Sequence, residues 1–221
     1  MFALIITRIS SIKINELDDR NLMMLLQLRQ NGILDDRIYD AISSFSKEDF
    51  LPKSLKGFAK EDLNFKIFNN VFASKTSDIA RMIFLGLSLN DKVRNVLEIG
   101  TGSGWQTALL SNIYNRVYTL EINKESYLFS RNSLKDISNK ISFKHGDGKL
   151  GWLDAGPFDA IYIDCCIDDE PDYLYSNLVK DEGVLITAND YDNTQYYCSC
   201  LPHNGKGLVK SSYEVNRTLL L

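Results

Sequence analysis

A chain of 221 residues that is 44% hydrophobic and 24% charged can bury one substantial core, which points to a single α/β domain. Its formal net charge of −4 offers no basic surface for a polyanion, so we expect no nucleic acid as substrate or partner. No stretch approaches the roughly 20 continuous apolar residues of a membrane-spanning helix, so we expect no membrane association.

The opening residues and the cysteines carry no signal of export or of metal binding. Residues 1–6 are apolar, but the basic residues Arg8 and Lys13 follow them, whereas basic residues precede the apolar part of a signal peptide. Four cysteines match neither a zinc knuckle nor a redox motif, and only two histidines accompany them. We therefore expect reduced thiols, no metal site and a cytoplasmic protein. The cysteines are Cys165, Cys166, Cys198 and Cys200.

The first third of the chain predicts helices and loops. Leucines at helical spacing predict a helix over residues 19–30 that ends at Gly32, and Asp35 or Asp36 can cap a second helix that stops before Pro52. Residues 53–71 are irregular and include a short strand, and residues 74–77 precede a helix with a broad apolar face. We expect residues 1–75 to form a helical and loop addition packed on a core of residues 76–221, in one structural domain overall.

The remaining chain alternates between strand and helix patterns. Such alternation predicts a doubly wound, mostly parallel Rossmann-like sheet covered by helices on both faces. The aromatic and polar composition near the end of the chain predicts a C-terminal antiparallel hairpin at the sheet edge, with its turn at residues 204–207. The expected strands are residues 93–99, 116–121, 141–145, 158–164, 184–187, 196–201 and 208–221, and the expected helices are residues 106–114, 124–136 and 171–178.

A glycine-rich turn follows the first strand of this alternation. Residues 96–105 read Val-Leu-Glu-Ile-Gly-Thr-Gly-Ser-Gly-Trp. The dinucleotide-binding motif G-x-G-x-x-G would require its third glycine at the position of Trp105. An acidic residue before G-x-G-x-G is instead typical of proteins that bind S-adenosyl-L-methionine, whose charged amino acid end suits a nearby carboxylate. The candidate cofactor residues of this turn are Glu98, Gly100, Thr101, Gly102, Ser103 and Gly104.

Further polar residues stand where the later strands end, which is where ligands bind in parallel sheets. Glu121 lies about 20 residues beyond the glycine loop, the spacing of an acid that accepts hydrogen bonds from ribose hydroxyls. Asp147, between two glycines, can accept a hydrogen bond from an adenine amino group. Asp164 faces the same crevice and can also line the pocket of the methyl acceptor. The candidate cofactor residues of these strand ends are Glu121, Ile122, Gly146, Asp147, Gly148 and Asp164.

These residues resemble the protein-L-isoaspartate O-methyltransferase family from about residue 21 to the end of the chain. The motifs that carry the resemblance are residues 96–108, His-Gly-Asp-Gly at residues 145–148 and Gly-Pro-Phe-Asp-Ala at residues 156–160. The resemblance implies a class I methyltransferase fold, S-adenosyl-L-methionine as cofactor, a carboxylate of a protein or peptide as methyl acceptor, and a function in protein repair. It also implies that Ser74 is the active-site serine.

The chain departs from the family's pattern on the acceptor side. Where the family carries roughly P-I-G-x-G-Q-T-I-S, residues 66–74 read Lys-Ile-Phe-Asn-Asn-Val-Phe-Ala-Ser, so Phe68 and Asn70 replace glycines. Asp164 stands where the family has small neutral residues. These changes put the recognition of an isoaspartyl peptide backbone in question.

Two alternatives follow from those departures. One is an O-methyltransferase with another acceptor, such as a small molecule whose hydroxyl is oriented by a divalent cation between Asp164 and Asp190. The other is a cofactor-binding protein without transfer activity, since the cofactor motifs are intact beside an altered acceptor segment. The sequence makes no prediction of the oligomeric state.

Overall fold

The computed structural model describes residues 19–89, 94–166, 172–177, 179–191, 194–203 and 206–215. The apolar opening segment, the acidic residues 168–170 and part of the turn predicted at residues 204–207 lie outside these ranges.

Two helices open the described chain. Helix α1 (Asp19–Gln30) ends where Gly32 takes the left-handed backbone (φ 77°), as predicted. Helix α2 (Asp36–Ser44) is capped by Asp35, whose side chain accepts a hydrogen bond from the backbone N–H of Arg37. The expectation that this helix runs on to residue 50 is wrong. Phe45 is extended, so that its carbonyl accepts the indole N–H of Trp105, and a short 3-10 helix, Lys47–Phe50, follows.

A small hairpin and a long helix connect these helices to the sheet. Strand β1 (Phe65–Phe68) pairs antiparallel with β2 (Val71–Ala73), and helix α3 (Thr76–Leu89) follows them. The later elements are β3 (Asn95–Ile99), α4 (Trp105–Ile113), β4 (Arg116–Glu121), α5 (Lys124–Ser133), β5 (Ile141–His145), β6 (Phe158–Cys166), α6 (Asp172–Asn177), β7 (Val179–Tyr191), β8 (Thr194–His203) and β9 (Lys206–Val215).

The seven strands from β3 onward form one sheet in the order β5-β4-β3-β6-β7-β8-β9. Neighbours from β5 to β7 are parallel, whereas β8 and β9 add an antiparallel hairpin at the edge, as predicted. Strand β7 is longer than the predicted residues 184–187, because β6 and β8 pair with it on both sides. Strand order reverses between β3 and β6, which is where sheets of this kind bind ligands beyond the strand ends.

Alternate residues of the central strands enter two separate hydrophobic clusters, one on each face of the sheet. Val96 of β3 lies in a cluster with residues of α1 to α4, whereas the adjacent Leu97 packs on the other face with Leu174 and Tyr175 of α6. Leu28 and Ile38, from the two opening helices, are fully buried in the first cluster. The opening helices therefore share their core with the sheet. No helix in the described ranges is long and apolar enough to cross a membrane.

Candidate functional site

The glycine-rich turn joins the end of β3 to the start of α4. Gly100, Gly102 and Gly104 all have left-handed backbones, with φ values of 95°, 55° and 87°. A Cβ atom added at Gly104 would lie 2.9 Å from Cδ1 of Leu134, so this position is restricted by both conformation and space. The turn thus exposes backbone where other residues would place side chains, and it leads into the amino terminus of a helix.

Glu98 is fully buried beneath this turn. Its Oε2 accepts hydrogen bonds from the hydroxyls of Thr107 and Thr119, whereas its Oε1 has no hydrogen-bond partner among the described residues. Burial raises the pKa of Glu98 to about 8, and the two hydroxyl hydrogen bonds oppose that shift. An unpaired buried acceptor of this kind suits a ligand that brings a positively charged amino group.

We expect Glu98 to make the unfolding free energy fall as pH rises from about 5 to 8. The folded state retains the Glu98 proton up to pH about 8, whereas the unfolded chain releases it near the ordinary glutamate pKa of 4.5. The folded state therefore binds more protons in this window, and the unfolding free energy falls by up to about 1.4 kcal/mol for each pH unit. Urea unfolding of the wild type and of Glu98→Gln across this range measures the effect.

The Glu98→Gln variant should show a flatter pH dependence than the wild type. Glu125→Gln provides the matched control, since Glu125 is an exposed acid on α5. Parallel pH curves for the wild type and Glu98→Gln would contradict the raised pKa of Glu98.

The hydroxyls of Thr101 and Ser103 point into the protein. The Thr101 hydroxyl lies 2.6 Å from that of Thr119, and the Ser103 hydroxyl accepts the backbone N–H of Trp105 at 3.3 Å. Both residues are buried. Their side chains therefore hold the turn in shape, and it is their backbone that they can offer to a ligand.

Glu121, at the end of β4, holds the middle of the glycine turn. Its Oε2 accepts the backbone N–H of Gly102 at 2.9 Å and the hydroxyl of Ser126 at 3.2 Å, and its Oε1 accepts the backbone N–H of Asn123 at 2.8 Å. Because a carboxylate oxygen can accept two hydrogen bonds, Oε1 has room for one further donor among the described contacts.

The residues predicted beyond β4 and β5 lie together on the other side of the turn. Ile122 is 66% exposed, and its carbonyl oxygen lies 3.1 Å from Nε2 of His145. Asp147 is exposed, and its carboxylate accepts the backbone N–H of Lys149. A Cβ atom at Gly148 would overlap the side chain of Ile99, which ties this turn to the end of β3. The backbone N–H of Gly146 in turn donates to the carbonyl of Glu121.

Ser74 and Asp164 meet although 90 residues separate them in the chain. The Ser74 hydroxyl donates a hydrogen bond of 2.7 Å to Oδ2 of Asp164, and both residues are partly buried. The backbone carbonyl of Asp164 lies 3.6 Å from a Cβ atom built on Gly100. The serine implied by the family resemblance therefore stands beside the glycine turn, at the reversal of strand order.

Lys47 is a residue of this region that sequence patterns do not single out. Its ammonium group donates a hydrogen bond of 2.8 Å to the carbonyl of Ser74 and lies over the rings of Trp105 and Phe65, 5.3 and 5.7 Å from their centroids. The residue is 6% exposed, and burial lowers its pKa to about 8, while Asp62 and Asp78 oppose that shift. Lys47 thus connects Ser74 with the first residue of α4.

Side chains of the preceding loop hold the rest of the segment that carries Ser74. Asn64 accepts the backbone N–H of Lys75, and Asp62 accepts the backbone N–H of Ser77, each at 2.9 Å. Lys75 pairs with Asp78 at 3.5 Å. Side chains of this loop therefore hold the backbone directly after Ser74.

The β1–β2 hairpin contacts the cofactor side of the site. Asn70 adopts the left-handed backbone (φ 57°), a conformation that asparagine tolerates better than most residues with a side chain. Phe68 packs edge-on against Phe129 of α5 at 5.3 Å, and the carbonyl of Asn69 accepts the side-chain N–H of Asn123. The bulky Phe68 is thus packed against helix α5, and Asn70 gives the β1–β2 turn the backbone conformation that glycine would adopt.

No group of three or more acidic, histidine or cysteine side chains that could hold a metal ion occurs in the described ranges. The side chain of Asp190, which the alternative with a divalent cation requires, lies outside the described side chains.

Comparison with known proteins decides the family. A family model described as protein-L-isoaspartate(D-aspartate) O-methyltransferase (PCMT) matches residues 19–216. The chain belongs to this family. Proteins named protein-L-isoaspartate O-methyltransferase from Yersinia pestis (strain Pestoides F) and Yersinia pseudotuberculosis (serotype O:1b) are each 38% identical over 177 residues, covering 78% of this chain and 83% of theirs. The predicted resemblance and the predicted enzyme class are confirmed.

Solved structures support the fold assignment. A protein-L-isoaspartate O-methyltransferase superposes with a TM-score of 0.73 at 22% identity, over 87% of this chain and 64% of that one. This chain therefore spans just under two thirds of that protein. A second, described as a PCMT from Plasmodium falciparum in complex with S-adenosyl-L-homocysteine, has a TM-score of 0.71 at 20% identity and covers 87% and 93%. The predicted class I methyltransferase fold is confirmed, and the predicted cofactor agrees with the ligand of the Plasmodium protein.

Proposed function

We propose that this protein transfers a methyl group from S-adenosyl-L-methionine to the free carboxylate of an isoaspartyl residue in a protein or peptide. The observation that carries the proposal is the position of Ser74, whose hydroxyl lies at the end of β6, beside the glycine turn. Membership in the protein-L-isoaspartate O-methyltransferase family supports the same reaction. The family's serine is retained in this position despite the altered sequence around it.

The residues around the glycine turn fit a cofactor with a cationic amino acid end and a nucleoside. Oε1 of Glu98, which has no hydrogen-bond partner among the described residues, can accept a hydrogen bond from the ammonium group. Oε1 of Glu121 can accept one further hydrogen bond, which a ribose hydroxyl can donate. Exposed Ile122 can cover an apolar face of the base, and Asp147 can accept its amino group. The full proposed set is Glu98, Gly100, Thr101, Gly102, Ser103, Gly104, Glu121, Ile122, Gly146, Asp147, Gly148 and Asp164.

The bound cofactor supplies an activated methyl group on a sulfonium sulfur. An ionised carboxylate is already a nucleophile, so the protein needs no general base for this transfer. Its contribution is to hold the acceptor oxygen in line with the methyl carbon and to exclude water. In this proposal Ser74 orients the acceptor, Lys47 holds Ser74 through its carbonyl, and the β1–β2 hairpin covers the glycine turn.

An assay with an isoaspartyl peptide and labelled cofactor tests the function. We expect a base-labile methyl ester on the isoaspartyl peptide and none on the same peptide with ordinary aspartate. Ser74→Ala should lower kcat/KM about tenfold or more, because it removes the hydroxyl that can turn from Asp164 and donate to the acceptor carboxylate. Ser43→Ala, at an exposed serine of α2, is the matched control. If calorimetry shows that the cofactor binds but no acceptor is methylated, the result would favour the alternative that this is a cofactor-binding protein without transfer activity.

We further propose that residues 1–75 are an addition to the core of residues 76–221, within one structural domain. The burial of Leu28 and Ile38 against the sheet supports this arrangement. A cytoplasmic location is proposed as well, and the reduced state of the buried Cys198 and Cys200 suits a reducing compartment.

A further inference from the structure

Two large apolar residues are exposed in the loop that leads to the β1–β2 hairpin. Phe58 ends a short 3-10 helix, Lys56–Phe58, and is 53% exposed, whereas Leu63, shortly before β1, is 57% exposed. Single exposed apolar residues occur on the surface of most proteins. These two differ from such residues because each is connected to the segment that carries Ser74.

Phe58 is connected to Ser74 through a row of contacts. Its ring packs against the ring of Phe65, with the centroids 6.1 Å apart. The ammonium group of Lys47 lies 5.7 Å from the centroid of Phe65 and donates a hydrogen bond of 2.8 Å to the carbonyl of Ser74. An extended peptide advances about 3.3 Å per residue, so about four residues of peptide span the distance from Ser74 to Phe58.

Leu63 borders the same segment through its two neighbours in the chain. Asp62 accepts the backbone N–H of Ser77, and Asn64 accepts the backbone N–H of Lys75, each at 2.9 Å. The backbone of Leu63 is therefore fixed on both sides while the residue itself stays exposed. A surface that is already ordered binds a ligand without the entropic cost of ordering its own parts.

The chemistry of this surface suits an apolar side chain. An aromatic ring and a branched aliphatic chain are stabilised when an apolar group covers them, and a second aromatic ring adds an edge-on or offset contact with Phe58. The proposed function brings one such occupant to this place. An isoaspartyl residue bound beside Ser74 places the following or preceding residues of its own polypeptide within reach of Phe58.

We propose that Phe58 and Leu63 form an apolar patch that binds an aromatic or large aliphatic side chain of the acceptor polypeptide, about four residues from its isoaspartyl residue. The apolar patch makes the reaction selective for isoaspartyl residues that have such a side chain at this separation. This inference rests on the proposed function, because the patch acts on the acceptor of the same reaction. Neither residue belongs to the set proposed for the cofactor.

A series of isoaspartyl peptides tests the proposal on the wild-type protein. The parent peptide has only alanine and serine around its isoaspartyl residue, and a single phenylalanine is then moved through five positions on either side. We expect kcat/KM at the best position, about four residues away, to exceed that of the parent about tenfold, as for burial of part of an aromatic side chain. Phenylalanine directly beside the isoaspartyl residue should leave kcat/KM within about twofold of the parent.

The double variant Phe58→Ala, Leu63→Ala should reduce this preference to within about twofold, and the loss should appear as a higher KM for the best phenylalanine peptide. Phe58→Leu retains an apolar contact, so it should keep a preference of about threefold or more. Leu153→Ala, Val209→Ala is the matched control, because it removes two exposed apolar side chains from the turn before β6 and from β9. It should keep the wild-type preference.

Equal kcat/KM values along the whole phenylalanine series with the wild type would overturn the inference and leave the proposed function intact. If ultracentrifugation then showed a dimer that Phe58→Ala dissociates, the occupant of the patch would be a second copy of the chain. A preference that persists in the double variant would overturn the inference as well, because another surface would provide it. Absence of methylation on the parent and on every phenylalanine peptide would overturn the proposed function itself.

Discussion

Replacing Glu121 by glutamine should weaken the binding of S-adenosyl-L-methionine about 100-fold. The amino group of glutamine and a backbone N–H group of the cofactor site would face each other, and two donors cannot form a hydrogen bond. Oε1 of Glu121 accepts the N–H of Asn123, and Oε2 accepts the N–H of Gly102. Glutamine has one oxygen, so in either orientation its amino group faces one of these backbone donors. The backbone N–H groups of Gly100 and Thr101 still donate to the carbonyl of Leu120 in β4, but one of the N–H groups held by Glu121 loses its acceptor. Isothermal titration with the cofactor measures the loss.

Glu125→Gln is the control for this experiment, since it makes the same chemical change at an exposed position of α5, four residues further on. It should bind the cofactor within about twofold of the wild type, as expected for a surface substitution. If Glu121→Gln also binds with wild-type affinity, then Glu121 neither shapes the turn nor contacts the ligand.

Replacing Lys47 by methionine should lower kcat/KM for an isoaspartyl peptide about tenfold or more, while cofactor affinity stays within about twofold. Methionine retains most of the apolar stem between Phe65 and Trp105, but it cannot donate to the carbonyl of Ser74. Ser74 should then sample positions away from the acceptor. Steady-state kinetics with calorimetric cofactor binding separates these two effects.

Lys47→Arg retains a donor and a positive charge, so it should recover part of the activity that Lys47→Met loses. An equal loss in both variants would indicate a packing role for Lys47 and would contradict the positioning of Ser74 by its ammonium group.

The stability of the wild type offers a second test of Lys47. Burial lowers its pKa to about 8 in the folded state, whereas the ordinary lysine pKa of 10.5 applies to the unfolded chain, which therefore binds the extra proton between these values. Unfolding free energy should therefore rise with pH across this window, by on the order of 2–3 kcal/mol. In Lys47→Met this rise, measured by urea unfolding, should be absent.

The fold and the cofactor side could be predicted from the sequence because their signals are local. Buried strands such as β3 read as apolar runs, and the glycines after it indicate a turn that other residues resist. The spacing of Glu121 from the glycine turn identifies it, and it does contact Gly102. The length of β7 could not be predicted, because its ends are stabilised by pairing with β6 and β8, which no local pattern reveals.

The acceptor side was harder to predict because it is made by contacts between distant parts of the chain. Lys47 stands in a charged segment that reads as solvent-exposed, but in the fold it is buried and lies against Trp105 and Phe65, which are distant in the sequence. Ser74 and Asp164 can each be identified as candidates, but nothing in the sequence indicates that they hydrogen-bond to each other. Such pairings depend on how the β1–β2 hairpin lies against the sheet.

The left-handed backbone of Asn70 has a consequence for how proteins of this family can diverge. A tight turn needs a residue that tolerates this conformation, and asparagine meets the need while adding a polar side chain. The hairpin can therefore exchange glycines for larger residues without losing its turn, and Ser74 keeps its place beside Asp164. Substitutions in this short hairpin can therefore leave the sheet and the cofactor turn unchanged.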